Sequence, residues 1–327
     1  MSHVLVTGGA GYVGSVCCRQ LIEGGHKVTV VDNLSTGHPE AVPPGAVLCR
    51  LDYGDRAGID RLLREERFDA VFHFAAKALI AESVSNPGVF FQENVASCIS
   101  FLEALRAAGI KRFVFSSSAA VYGSPDYVPI AEDHPTEPVN SYGETKLMLE
   151  RILHWYARAY QWNVVAFRYF NAAGATNYAG EDHQPETHII PLLLRAASGD
   201  RPGFEIYGDD YETRDGTCIR DFVHVSDIAA AHILALNVPA SNGMELYNIG
   251  SGQSYSVREV IRAVETITGL TVPVRISGRR AGDPAILCAS PAKLMSQLGW
   301  RPAESDLHEI IASAWKWHRR HRGTLAA

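Results

Sequence analysis

Tyr142 and Lys146 stand four residues apart in the stretch Ser141-Tyr142-Gly143-Glu144-Thr145-Lys146, so on a helix their side chains share one face. Leu149, Leu153 and Tyr156 continue that face, which turns it toward a core and leaves the Tyr142 hydroxyl at the rim of a cleft. A phenol with an ordinary pKa of about 10 is a poor base at neutral pH. An ammonium about 4 Å away, at an effective dielectric of about 20, favours the phenolate by roughly 4 kcal/mol, or about three pKa units. Such a pair can take a proton from a hydroxyl near neutral pH. Upstream, Ser116-Ser117-Ser118 follows the apolar run Arg112 to Phe115 and precedes Tyr142 by 24 positions at its last serine. Taken alone, the Tyr-Lys turn also reads as a solvated helix start, and the serines as turn chemistry. The elements around them decide.

The chain opens with a strand pattern, His3 to Val6, then Gly8-Gly9-Ala10-Gly11-Tyr12-Val13-Gly14 and a helical run through Leu21 and Ile22. Small residues at a strand-to-helix turn let a backbone approach a pyrophosphate, which the helix N-terminus attracts. A second strand, Lys27 to Val31, ends at Asp32, eighteen positions beyond Gly14, near the spacing of an acid that binds an adenosine ribose. A carboxylate there repels a 2'-phosphate, and residues 33–40 contain no lysine or arginine to offset it. NAD is therefore expected over NADP.

The alternation continues with Val47 to Leu51 ending at Asp52, a helix from Ile59 to Glu66, and a strand from Ala70 to Phe74 running into Ala75 and Ala76. Asn94 lies in a helical stretch over 90–108 and reads either as a cleft residue or as a core-bonded amide. Pro125, Pro129, Pro135 and Pro138 mark an excursion loop that returns the Tyr142 helix to the serine strand. The expected fold is α/β: a Rossmann-type doubly wound parallel sheet. Beyond residue 172 the pattern becomes less regular, with a helix from Ile189 to Ala197 and a strand from Phe204 to Tyr207. The expected division is 1–172 for NAD binding and 173–327 for a smaller α/β substrate-binding domain, with some of 226–250 returning to the first.

Composition bounds the rest. A chain of 327 residues, 46% hydrophobic, 20% charged and of formal net charge -6, suits a globular enzyme rather than a general nucleic-acid binder. No apolar run reaches the roughly 20 residues of a membrane helix. With no secretory signal pattern at its start, the chain is expected in the cytoplasm. Six cysteines without a Cys-x-x-Cys pair predict reduced thiols, and thirteen scattered histidines without a helical His-x-x-x-His pair predict no metal site. The basic run at 318–322 follows an amphipathic pattern and suits a helix C-terminus.

The ordered set Gly8-x-x-Gly11-x-x-Gly14, Asp32, Ser118, Tyr142 and Lys146 resembles the extended short-chain dehydrogenase/reductase family. The segments Arg168–Asn171, Asp215–Val225 and Arg279–Asp283 are similar to those of its UDP-hexose 4-epimerases. The resemblance covers nearly the whole chain. It implies reversible C4 epimerisation of UDP-glucose and UDP-galactose through a transient 4-keto sugar, with tightly held NAD. Tyr142, Lys146 and Ser118 would be catalytic. For the cofactor it implies Gly8, Gly11, Tyr12, Val13 and Gly14, then Asp32, Asn33, Asp52 and Tyr53, and finally Phe74, Ala75, Asn94 and Phe170, besides Tyr142 and Lys146. For the UDP-sugar it implies Ser118, Asn171, His188 and Tyr207, with Arg220, Arg280, Asp283 and Leu287. Arginine suits a diphosphate through its fixed fork of donors. Family members are often dimers, and the helical stretches near 90–108 and 142–160 would either pair across an interface or face the core.

Three positions depart from the family pattern. Lys77 is followed by Ala78 where a lysine is often seen, His188 stands where asparagine is frequent, and Leu287 falls at a position that bounds the hexose pocket. A tyrosine there would exclude N-acetyl groups and a small residue would admit them; leucine is intermediate and leaves the sugar open, so a 4-epimerase of another UDP-sugar stands as an alternative. Nucleotide-sugar dehydratases place an Asp-Glu pair where this chain has Ala119 and Ala120, which favours epimerisation. A non-catalytic NAD-sensing protein on the same fold could dispense with Tyr142 and Lys146.

Overall fold

The computed structural model describes residues 1–239, 243–280 and 282–325. Six strands come early: β1 (His3–Thr7), β2 (Lys27–Asp32), β3 (Ala46–Arg50), β4 (Ala70–His73), β5 (Arg112–Ser118) and β6 (Asn163–Tyr169). The chain then builds β7 (Asn171–Ala173), β8 (Phe204–Tyr207) and β9 (Ile219–His224) before β10 (Met244–Ile249) returns beside β6. The resulting seven-stranded sheet runs β10-β6-β5-β4-β1-β2-β3, with every neighbouring pair parallel.

Side-chain alternation assigns each strand to two cores. Val4, Val6, Val28, Val30, Val165 and Phe167 face the helices Tyr12–Glu23 and Val225–Ala235. Leu5, Val31, Val71, Phe113, Phe115 and Ala166 face Arg56–Glu65, Ser97–Ala107 and Ser141–Tyr160. Burial on both faces is why these strands read as continuous apolar runs. Strand order reverses between β1 and β4, so their C-terminal tips open a crevice where Gly8 and Phe74 meet. Thr7 Oγ1 and His73 Nδ1 bond across that point at 2.7 Å, and burial, followed by the nearby Lys146 charge, pushes the His73 pKa down to about 3.

A third core joins Phe204, Ile206 and Phe222 to the helices Ile189–Ala197, Val257–Thr268 and Leu307–Leu325. Here β11 (Ser254–Ser256) pairs antiparallel with β9, β12 (Val274–Ser277) pairs parallel with β8, and β13 (Ile286–Leu287) pairs parallel with β9.

Two local features differ from the sequence pattern. β5 does not stop at Phe115; all three serines stay in the sheet, with Ser118 opposite Tyr169. The helix expected over 90–108 is interrupted: Pro87–Phe90 gives way to a π-type turn, Phe91–Ala96, and then Ser97–Ala107. Asn94 lies in that turn, where its side chain bonds the loop at Lys77 and the helix Ser141–Tyr160 at Thr145.

Candidate active site and nucleotide cleft

The glycine turn is shaped by close approach. Gly8 has φ +73, and a Cβ on it would lie 2.6 Å from Ala75 N; one on Gly14 would lie 2.1 Å from Gly8 O. Only glycine lets the helix Tyr12–Glu23 start this close to the strand tips. Its Gly11 cap has no capping side chain, so the first-turn N–H groups are left for a ligand. Asp32 accepts from Ala10 N at 3.0 Å and from Leu34 N at 2.9 Å, anchoring the turn while ending β2 at the cleft. Asn33 Nδ2 donates to Asp52 Oδ2 at 2.8 Å, and the Tyr53 hydroxyl donates to Glu93 O. These shapes and donors fit a dinucleotide.

At the neighbouring strand tip, Ser116 Oγ donates to His73 O at 2.9 Å, Ser117 Oγ donates to Glu150 Oε1 at 2.5 Å, and Ser118 Oγ accepts from Ala120 N at 3.1 Å. The helix Ser141–Tyr160 begins at Asn140, whose side chain accepts from Gly143 N at 2.8 Å. A Cβ on Gly143 would lie 2.5 Å from Ala120 O, so this glycine lets the helix start abut the turn after β5. That contact places Tyr142 and Ser118 together in the wall of one cleft, where the Ser118 hydroxyl acts on the Tyr142 phenol.

Lys146 is buried and donates to Ser116 O at 2.8 Å, with its Nζ 5.8 Å from the Tyr142 ring centre. Burial lowers its pKa to about 8, against the raising influence of Cys98 and Glu150. Burial also raises the Tyr142 pKa, and the Ser118 hydroxyl only moderates the rise. The expected lowering of the phenol by Lys146 is therefore not supplied by the protein alone, because the ammonium is directed at a strand carbonyl rather than at the phenol oxygen.

Behind these residues lies a polar network that sequence reasoning missed. Arg168 bonds Glu150 twice, at 3.0 and 2.7 Å, and its Nη1 donates to the Tyr122 hydroxyl at 2.9 Å. Tyr122 in turn donates to Asn248 Oδ1 at 2.7 Å. Glu150 sits one turn beyond Lys146, a spacing that could have suggested a link.

At the other end of the cleft, Arg280 Nε bonds Asp283 Oδ2 at 2.9 Å and lies over the Tyr207 ring at 4.5 Å. Arg220 Nη2 approaches Asp283 Oδ1 at 3.9 Å, and Leu287 is its register partner on β13. Asn171 Nδ2 donates to Asp221 O at 2.8 Å. Burial pushes the Asp221 carboxyl up to about 6, while Ser251, Gly252 and Ala289 donate to it. His188 precedes the helix Ile189–Ala197 and bonds Glu186 at 2.9 Å.

One continuous cavity of about 2090 Å³ is lined by the residues singled out in the sequence, from Gly8, Gly11, Tyr12, Val13 and Gly14 through Phe74, Ala75 and Phe170 to Leu287, with Lys77 and Ala78 also in its wall. Asn94 is the exception. It lies behind that wall, buried, accepting from Lys77 N at 2.8 Å and donating to Lys77 O at 3.0 Å and Thr145 Oγ1 at 3.2 Å. Its amide thus secures the cleft loop to the helix Ser141–Tyr160, as a core-bonded amide would.

The model of the NAD dependent epimerase/dehydratase family matches residues 4–250. The chain belongs to that family. Among curated members, the UDP-glucose 4-epimerase of Lacticaseibacillus casei is 47% identical over 321 residues, covering 97% of each chain. Among solved epimerase structures, the UDP-glucose 4-epimerase of Brucella ovis in complex with NAD matches with a TM-score of 0.93 at 43% identity, over 97% of this chain and 98% of that one. The enzyme of Bifidobacterium longum in complex with NAD+ and UDP matches with a TM-score of 0.93 at 35% identity, over 98% and 99%. This epimerase/dehydratase chain thus shares its doubly wound sheet with full-length relatives.

Proposed function

We propose that the chain catalyses reversible C4 epimerisation of UDP-glucose and UDP-galactose with tightly bound NAD. The observation that carries this reading is that Tyr142, Ser118 and Lys146 line one cavity together with the glycine turn and the Arg220–Asp283–Arg280 cluster. Relatives named UDP-glucose 4-epimerase at near-full coverage support it.

Bound NAD supplies a reversible hydride acceptor. Tyr142 takes the proton of the sugar C4 hydroxyl and returns it, and Ser118 hydrogen-bonds the same oxygen in both directions. Lys146 contributes positive charge beneath Tyr142 and holds the β5 tip through Ser116 O. Arg220 and Arg280 hold the diphosphate, Tyr207 and Asp283 border the nucleoside, and Asn171 orients the sugar-diphosphate. The 4-keto sugar, tethered only through its nucleotide, can present either face of C4, so configuration inverts without net redox change. Ala119 and Ala120 leave the β5 tip without the acid pair that water elimination would use.

We assign 1–172 to NAD binding and 173–327 to the nucleotide-sugar, with the helix Val225–Ala235 and the strand Met244–Ile249 packed with the first part. We assign the protein to the cytoplasm, in keeping with its six free cysteines. A homodimer is supported by Ile99, Trp155 and Tyr160, exposed at 39%, 64% and 41% on the helices Ser97–Ala107 and Ser141–Tyr160. Tyr156 Oη donates to Glu103 at 2.6 Å, joining these helices into one surface.

The test is to incubate purified protein, without added NAD, with UDP-galactose, UDP-N-acetylgalactosamine and UDP-xylose and follow each C4 epimer. Conversion of UDP-galactose supports the assignment; conversion of another sugar alone supports a different 4-epimerase, and conversion of none supports an NAD-sensing protein.

A further inference from the structure

Between β7 and the helix Ile189–Ala197, the chain reads Glu181-Asp182-His183-Gln184-Pro185-Glu186-Thr187-His188. Glu181, His183 and His188 each offer a ligand atom, and these atoms lie within 4.8 Å of one another. All three residues line the cleft. We propose that this loop binds a divalent transition-metal cation of the Zn²⁺ class through Glu181, His183 and His188.

The donor set is the first argument. Two imidazoles and one carboxylate suit a borderline cation, which takes three protein ligands and keeps a further position open. Ligands about 2.0–2.2 Å from a tetrahedral zinc lie roughly 3.4 Å apart, so side-chain rotation of about an ångström closes the set. The His183 and His188 rings stand 5.6 Å apart, tilted at 46° rather than stacked.

The neighbouring Glu186 side chain is 1% exposed. Its Oε1 bonds His188 Nδ1 at 2.9 Å and also accepts from Thr187 N and His188 N at 2.7 Å, fixing the ring beside Glu181. Its Oε2 is buried with no hydrogen-bond partner. A buried carboxylate oxygen left in this state calls for a compensating group such as an ion. Glu181 is also buried, at 7% side-chain exposure, and contacts His183 Nδ1 and, at 3.6 Å, His188 Nδ1. Two buried carboxylates facing two imidazoles give a site of charge -2 when the imidazoles are neutral, which a divalent cation balances. The positive end of the following helix opposes a cation, and the second carboxylate offsets it.

The site also has a place in the fold. The Tyr12 hydroxyl donates to Gly174 O at 2.5 Å, so the same loop is tied to the glycine turn at its start. A cation at its end would staple the loop along the cleft wall. The helical His-x-x-x-His spacing sought in the sequence does not describe this arrangement, because a bent loop rather than a helix brings the four residues together.

The test uses the full chain, purified without a histidine tag, treated with chelator and dialysed. Zn²⁺ is titrated calorimetrically, with Mg²⁺ as the comparison, into the wild type, His183→Ala and Glu181→Gln; thermal unfolding is followed with and without Zn²⁺. The expected result is one equivalent of Zn²⁺, bound more tightly than Mg²⁺, a rise in unfolding midpoint, and binding weakened about tenfold or more in each variant. Retained far-UV circular dichroism and NAD content establish that each variant is folded, and either folded variant suffices. Absence of saturable Zn²⁺ binding, or binding undiminished in a folded variant, overturns the proposal.

Discussion

The Lys146 ammonium lies 2.8 Å from the Ser116 carbonyl oxygen, two residues before Ser118 at the end of β5. The lysine therefore fastens the helix Ser141–Tyr160 to the strand tip and at the same time buries a charge below the phenol. Its pKa of about 8, set chiefly by burial, gives this arrangement two consequences with pH.

As pH rises through about 8, Lys146 loses its charge; in the proposed mechanism that charge acts beneath Tyr142 together with bound NAD, so kcat/KM should fall on an alkaline limb near that value. Lys146→Arg should move the limb upward, and Lys146→Met should lower kcat at least about 100-fold. A pH–rate profile of the three proteins checks this. For stability the sign is opposite. The folded pKa is below the ordinary 10.5, so between about 8 and 10.5 the unfolded chain binds the extra proton and this residue's contribution to stability grows with pH. Urea unfolding at pH 7.5 and 9.5 should show a gain in wild type that Lys146→Met lacks.

Glu150 and Arg168 are both 4% exposed at their side chains and meet at 2.7 Å. Removing one partner leaves a buried charge, so Glu150→Ala should cost about 3–5 kcal/mol in urea unfolding. The double change Glu150→Leu with Arg168→Met should cost less than the sum of its single changes.

Leu287 is half-buried against the cluster containing Phe170, Leu147 and Ala289. Leu287→Ser should raise kcat/KM for UDP-N-acetylgalactosamine relative to UDP-galactose, and Leu287→Tyr should lower it; the shift expected is about tenfold, the scale of one or two buried methylenes. Paired steady-state kinetics on both sugars check it.

The exposed Trp155 face supplies a prediction about assembly. Trp155→Glu should convert the proposed dimer to monomer in size-exclusion chromatography with light scattering, since a charge would be buried in an apolar interface.

Much of this was legible because its causes are local. Alternating apolar runs specify the parallel sheet, and the glycines at 8, 11 and 14 mark a turn whose crowding is visible in the missing side chains. The Tyr142–Lys146 spacing placed two groups at one cleft. What was not legible depends on partners distant in the chain: the Glu150–Arg168 pair, and the amide of Asn94 turned to Lys77 and Thr145 rather than to the cleft. The direction of the Tyr142 shift was also hidden. Spacing gives the nearness of a lysine, but whether its ammonium points at the phenol or at a strand carbonyl is decided by the depth of the helix in the fold.

The most direct test of the catalytic assignment is Tyr142→Phe, purified without added NAD and given UDP-galactose. The account predicts that the variant keeps its fold and its copurified NAD, measured by chromatography after denaturation, while UDP-glucose formation falls at least about 100-fold. Epimerisation at the wild-type rate would contradict it.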